Sequence, residues 1–154
     1  ACSIAACQSN PRLKSVIVDF PNVLKVAEEI IEKEGLTHRI TTQPGDITVD
    51  DWPAGDLMLV SLIISGYSRE TQLKVFRKCF EKLPRGGAIV VHDFLMENDY
   101  SGPILSALYN ITSMEGVPLS REDMADLLRE AGFVNPVAET VIPEYTAMVA
   151  ARKP

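Results

Sequence analysis

Apolar residues in this chain fall into two alternating patterns: short unbroken runs, and stretches where they recur every three or four positions. Ser15-Val16-Ile17-Val18-Asp19 is a run ending on an acid and reads as a strand. Pro21-Asn22 opens a helix to about Glu34, in which Val23, Leu24, Val26, Ala27, Ile30 and Ile31 keep helical spacing and Gly35 supplies the stop. A short strand over about 39–43 runs into Pro44-Gly45-Asp46. The unbroken run from Asp56 to Ile64 predicts a strand buried on both faces, as in a parallel sheet. Ser68 caps the next helix, whose apolar residues are Leu73, Val75, Phe76, Cys79 and Phe80. Pro84-Arg85-Gly86-Gly87 ends it and turns into the strand 88–92. A helix is predicted over 103–113. Ser120 and Asp123 form a capping-box pattern for another that Gly132 stops. Two strands, 133–141 and 145–151, finish the chain. Only the tail of a helix, Ala1 to Gln8, precedes the first strand.

Strands alternating with helices predict an α/β fold: a Rossmann-like, doubly wound, mostly parallel sheet with a C-terminal antiparallel strand. Ligands in such sheets bind beyond the carboxyl ends of the strands. That rule singles out Asp19, Asp46, residues 61–67 and residues 92–94.

Composition narrows the partners. The 154 residues carry a net charge of −6 with no basic cluster, which argues against nucleic acid. The longest apolar run is too short to cross a bilayer, so no membrane partner is expected. The three cysteines, Cys2, Cys7 and Cys79, lack the spacing of a disulfide framework or a zinc pair. They are expected to be buried structural thiols of a cytoplasmic protein. Of the two histidines, His38 is expected to cap the preceding helix and face water. His92, beside Asp93 at a strand end, suits a packed strand residue better than a metal ligand, and no metal is expected.

Three strand-end features carry chemistry. A carboxylate at Asp19 can accept both hydroxyls of a ribose, and the same position suits a helix-start acid. An acid at Asp46 can accept from an adenine amino group while Ile47 covers the ring, and Gly45-Asp46 is also an ordinary turn pair. Leu83-Pro84-Arg85-Gly86-Gly87 precedes an apolar strand and doubles as a helix stop.

Taken in order and spacing with Glu130-Ala131-Gly132-Phe133, these features resemble the class I S-adenosylmethionine-dependent methyltransferases. The closer resemblance is to the small-molecule O-methyltransferases that include the plant caffeate and hydroxyindole enzymes. It is carried by Val18-Asp19-Phe20-Pro21-Asn22-Val23, Pro44-Gly45-Asp46-Ile47, Asp56-Leu57-Met58-Leu59-Val60-Ser61, Leu83-Pro84-Arg85-Gly86-Gly87 and Ser101-Gly102-Pro103-Ile104-Leu105. It spans nearly all of this chain and only the C-terminal part of the family's catalytic domain. The resemblance implies S-adenosylmethionine as cofactor, with Asp19 and its neighbour Phe20 at the ribose and Asp46 and Ile47 at the adenine. Ser61 falls on the strand end beside the cofactor, and Tyr67 falls where the family usually has a tryptophan near the adenine.

The chain departs from the family at the base. These enzymes usually carry His-Asp-Trp where this chain has Ser65-Gly66-Tyr67. Asp93 matches the acid that orients the family's histidine, so His92 and Asp93 become the catalytic candidates. A missing general base costs about 10²–10⁴-fold where proton removal limits the rate. Methyl transfer to carbon or nitrogen, or a non-catalytic use of the fold for ligand binding or dimer assembly, are the alternatives to O-methylation. A nicotinamide-dependent oxidoreductase, which Asp19 would also serve, fits the Gly45-Asp46 and Pro84-Arg85-Gly86-Gly87 stretches less well.

The family's sheet has a central strand and a glycine turn ahead of the strand at 15–19. Residues 1–154 are therefore expected to be a partial catalytic domain divided into two half-sheets. A homodimer formed through an upstream domain, and a small-molecule substrate, are the expected partners.

Overall fold

The computed structural model describes residues 1–154, the side chain of Ser113 excepted. The chain forms two compact units, Ala1–Pro53 and Ala54–Pro154.

The first unit contains α1 (Cys2–Ser9), β1 (Ser15–Asp19), α2 (Pro21–Lys33) and β2 (Ile40–Pro44). Pro21 occupies the first turn of α2, where its missing N–H has no intrahelical partner to lose. Past the helix, Gly35 adopts φ +67°, which a side chain would strain. The connection returns the chain parallel to β1, with Ser15 opposite Ile40 and Asp19 opposite Pro44. Cys7, Ile31, Leu36 and Ile40 make the core of this unit, flanked by Ile4, Leu13, Ile17 and Ala27. Only part of the predicted apolar face of α2 is used: Leu24 and Ile31 are buried, whereas Val23, Val26 and Ile30 are exposed.

The second unit contains β3 (Leu57–Ser61), a 3-10 turn (Ile64–Gly66), α3 (Arg69–Lys82), β4 (Ala88–Asp93), α4 (Ile104–Ser113), α5 (Arg121–Glu130), β5 (Val134–Ile142) and β6 (Thr146–Arg152). Its sheet has the order β3-β4-β6-β5. β3 and β4 are parallel, and β6 runs antiparallel to both neighbours. β5 is an edge strand, which is where Pro136 with its missing donor is tolerated, and the ladder shifts register between Val134 and Val137. Ile89, Val91, Val149 and Ala151 point into a core shared with Phe76, Met124, Leu127 and Leu128. α5 packs on β5 and β6, and Phe80 meets Phe133 edge-on with centroids 5.2 Å apart.

Three expectations change. The strand expected over 56–64 ends at Ser61. Leu62 turns left-handed, at φ 54°, and the following residues wind into the 3-10 turn. Nor is β3 buried on both faces: Leu57 and Leu59 are exposed, because β3 is an edge strand and this side of it is left bare. Cys2 is exposed, since it opens α1 on the outer side, whereas Cys7 and Cys79 are buried as expected. Burial pushes the Cys79 thiol up to about 12. His38 does face water.

The capping box forms as read. The Ser120 hydroxyl accepts from the Asp123 N–H at 3.1 Å, and the Asp123 carboxylate accepts from the Ser120 N–H at 2.8 Å. Burial pulls the Asp123 carboxyl upward, but hydrogen bonds from Ser120 and the Tyr100 hydroxyl outweigh it and hold the group below the usual carboxylate range. A depressed carboxyl stabilises the fold above its unfolded pKa and loses that contribution as pH falls. Ser120→Ala is expected to cost about 1 kcal/mol at neutral pH. The gap from the parent should narrow as pH drops below about 4, read from urea unfolding at each pH. A thiol reagent on the native protein should modify Cys2 alone, with Cys7 and Cys79 reacting only after denaturation, as followed by mass spectrometry.

Candidate functional site

In the first unit, parallel pairing of β1 with β2 brings two carboxylates to neighbouring strand ends. Asp19 closes β1, opposite Pro44, and Asp46 lies two residues beyond Pro44. The Gly45 N–H donates to the Asp19 carbonyl at 3.0 Å, so the turn after β2 is tied to the end of β1. One Asp19 oxygen accepts the Phe20 N–H at 2.8 Å, and the Phe20 ring is 48 % exposed beside it. Asp46 forms a local turn: its Oδ1 accepts from both the N–H and the hydroxyl of Thr48 at 2.7 Å, and its own N–H donates to Asp50 at 2.9 Å. Ile47 is half-buried in that turn. The turn reading of Asp46 is the one this geometry displays.

In the second unit the ends of β3 and β4 lie in register, Ser61 opposite His92. The Ser61 hydroxyl is 3.1 Å from His92 Nδ1, while His92 Nε2 is buried without a hydrogen-bond partner. Asp93, the next residue, points to the opposite face of the sheet and has no exposed surface. Its Oδ2 accepts the Ile64 N–H at 2.9 Å and the Ser65 N–H at 3.1 Å. Its Oδ1 accepts the Ser65 hydroxyl at 2.7 Å and the Phe94 N–H at 2.8 Å. The structure thus parts His92 from Asp93 and brings Asp93 to Ser65.

Two further groups fix the same turn. Gln72, fully buried on α3, donates through Nε2 to the carbonyls of Ile64 at 3.1 Å and Tyr67 at 2.9 Å. Gly116 presses on it from the segment after α4: a Cβ there would sit 2.0 Å from the Ser65 carbonyl oxygen and 3.0 Å from Gly66 Cα. Neither group is singled out by the sequence. A glycine close after a helix carries no signal for a contact some fifty residues earlier in the chain, and a glutamine inside an amphipathic stretch carries none that its side chain turns back onto the preceding turn.

Beside the turn lies an open pocket of about 410 Å³, walled by Leu62, Ile63, Phe94, Leu105 and Met114 and also lined by Ser65, Tyr67 and Asn110. Phe94 is held by an edge-on contact with Tyr145, centroids 5.1 Å apart. α4 exposes Ile104, Leu105, Leu108, Tyr109 and Ile111 and buries Asn110. Neither His92 nor Asp93 lines the pocket; Ser65 and Tyr67 do. Among the described residues no group of three or more His, Cys, Asp or Glu is placed to hold a metal ion, and no helix is long and apolar enough to cross a membrane.

A family model described as an O-methyltransferase domain matches residues 1–134. A 3-hydroxy-5-methyl-1-naphthoate 3-O-methyltransferase of Streptomyces sahachiroi is 31 % identical over 151 residues, covering 90 % of this chain and 44 % of that protein. An L-tyrosine C(3)-methyltransferase of Streptomyces lavendulae is 29 % identical over 137 residues, covering 85 % of this chain and 37 % of that one. Among solved structures, PigF with SAH superposes with a TM-score of 0.85 at 25 % identity, over 97 % of this chain and 46 % of PigF. The chain spans less than half the length of each of these proteins.

Gly116→Ala is expected to destabilise the protein by about 1–3 kcal/mol, because the added methyl meets backbone that cannot rotate away. Chemical denaturation measures the loss, and a drop under 0.5 kcal/mol, the ordinary surface range, would show that the segment is not seated on the turn as described.

Proposed function

Since the chain belongs to the O-methyltransferase domain family, we propose that it is part of the catalytic domain of an enzyme moving a methyl group from S-adenosylmethionine to a hydroxyl of an aromatic small molecule. The observation that carries this reading is the pair of carboxylates, Asp19 and Asp46, at the carboxyl ends of adjacent parallel strands.

The donor set suits a nucleoside. Asp19 uses one oxygen on the Phe20 N–H and, as a carboxylate, retains acceptor sites for a ribose diol. Asp46, oriented by Thr48, is the proposed acceptor for an exocyclic amino group, with Ile47 as the apolar neighbour. Phe20 supplies an exposed ring at the ribose side. In the second unit, Ser61 ends β3 and Tyr67 ends the 3-10 turn beside the pocket. When bound, the cofactor supplies an electrophilic methyl group on a sulfonium. The protein's part is then to hold the acceptor at the right distance and angle, a contribution of up to about 7–11 kcal/mol for well-oriented reactants.

The pocket of the second unit is the proposed acceptor site. Its size lies in the range of about 300–1,000 Å³ usual for small-molecule sites, and its apolar walls suit an aromatic ring. His92 and Asp93, the two catalytic candidates of the sequence, are proposed as positioning residues with separate roles, since neither lines the pocket. Asp93 is a positioning residue that acts through Ser65, and His92 orders the strand ends through Ser61. Methylation of carbon is a second reading. It is supported by the tyrosine C(3)-methyltransferase among the relatives and by a serine, not a base, at the pocket turn.

Binding of S-adenosylhomocysteine to the full-length protein, measured by isothermal titration, tests the reading, with nicotinamide dinucleotide as the control that should not bind. Asp19→Ala is expected to weaken S-adenosylhomocysteine about 10- to 100-fold, the value of a charge-assisted hydrogen bond, with an unchanged circular dichroism spectrum. An unaltered affinity would remove Asp19 from the ribose site.

A further inference from the structure

We propose that Ser65 selects the acceptor by hydrogen-bond polarity: the pocket takes a neutral aromatic molecule that donates an O–H or N–H to Ser65 Oγ, and it disfavours phenolates and ethers. This inference rests on the pocket being the acceptor site.

A serine hydroxyl has one proton and two lone pairs. At Ser65 the proton is committed, because Oγ donates to Asp93 Oδ1 at 2.7 Å. The commitment is firm, since Asp93 accepts from the Ser65 N–H as well and is itself held by the Ile64 and Phe94 N–H groups. Every contact that reaches this carboxylate is a donor, so it offers Ser65 no proton in return. What Ser65 presents to the pocket it lines is therefore a pair of acceptor sites.

The backbone enforces the same choice. With the Ile64 carbonyl and the Tyr67 carbonyl held by Gln72, and Gly116 against the Ser65 carbonyl, the turn cannot rotate to bring a main-chain N–H into the pocket in place of Oγ. The Ser65 N–H, which would otherwise be a donor for an oxyanion, is consumed by Asp93. The surrounding wall is largely apolar, so a mismatch of polarity at Oγ leaves a desolvated group unpaired. An O–H or N–H donor satisfies Oγ; an ether oxygen or a phenolate sets acceptor against acceptor, the phenolate with Asp93 directly behind.

The test uses 4-cyanophenol and its methyl ether, 4-methoxybenzonitrile, titrated into the full-length protein by NMR. At a pH where the phenol is neutral it should bind at least about threefold more tightly than the ether, the low end for one net hydrogen bond, with shifts at residues 62–67 and 105–114. The phenol's affinity should fall as the pH rises through the phenol's own pKa. Ser65→Ala should bind phenol and ether alike. In Asp93→Asn the amide can donate to Oγ, free the Ser65 proton for the pocket and reverse the preference; where that variant does not fold, Ser65→Ala still decides. Tighter binding of the phenolate than of the phenol, or a preference that survives Ser65→Ala, overturns the proposal. S-adenosylhomocysteine binding by the same samples reports separately on the cofactor reading, so loss of one leaves the other standing.

Discussion

The carboxylate of Asp93 is fully buried and accepts four hydrogen bonds, three from backbone N–H groups and one from a hydroxyl. Removing a carboxylate from water carries a large desolvation cost, and only a full set of donors offsets it. Here the donors come from the two ends of a parallel pair. Register places Ser61 opposite His92, so Asp93 sits one step past the last paired residue of β3, where the chain leaving that strand can reach it. β3 cannot continue straight without withdrawing the Ile64 and Ser65 N–H groups from the acid. The left-handed Leu62 is the local strain that accompanies this turn. The length of β3, the position of the 3-10 turn and the orientation of Ser65 are therefore one structural fact seen at three places.

Strand alternation then assigns separate tasks to two adjacent residues. Asp93 faces the core side with Ile89 and Val91, and His92 faces the other side with Ser61 as its partner. A histidine and an acid next to each other in sequence invite reading as a catalytic pair, but on a strand they point in opposite directions. The acid that the Ser65 turn does have lies close in space and far in sequence, and the contact is made through a hydroxyl.

This difference marks where sequence reading succeeds. The α2 start at Pro21, the Gly35 stop, the Ser68 cap and the Ser120–Asp123 box are decided by residues within a few positions of one another, and all were legible. The strand ends were legible too: at Asp19 because an apolar run followed by an acid is a local pattern, and at Asp46 because Pro44-Gly45-Asp46 is a local turn signal. The end of β3 was not. Leu62, Ile63 and Ile64 are as apolar as the strand before them, and what diverts them is an aspartate 29 residues later in the chain. Gly116 was invisible for the same reason, and Gln72 because its partners, though only five and eight residues away, are reached through a turn that the sequence does not announce. The side-chain amide of one and the missing side chain of the other matter only through contacts that the fold creates.

Three aspartates at strand ends, alike in sequence, end up chemically unlike. Asp19 is partly exposed and spends one oxygen on its neighbour's N–H, so it keeps capacity for a ligand. Asp46 accepts from the N–H and hydroxyl of Thr48 and so shapes its own loop. Asp93 is wholly buried and wholly satisfied, so it has nothing left to offer a ligand and acts only through what it holds. Residue type sets what a carboxylate can accept; the number of donors already in place decides whether it binds a ligand, shapes a loop or fixes the direction of another group's proton. By that criterion the position facing the pocket is Ser65, and its chemistry is set from behind.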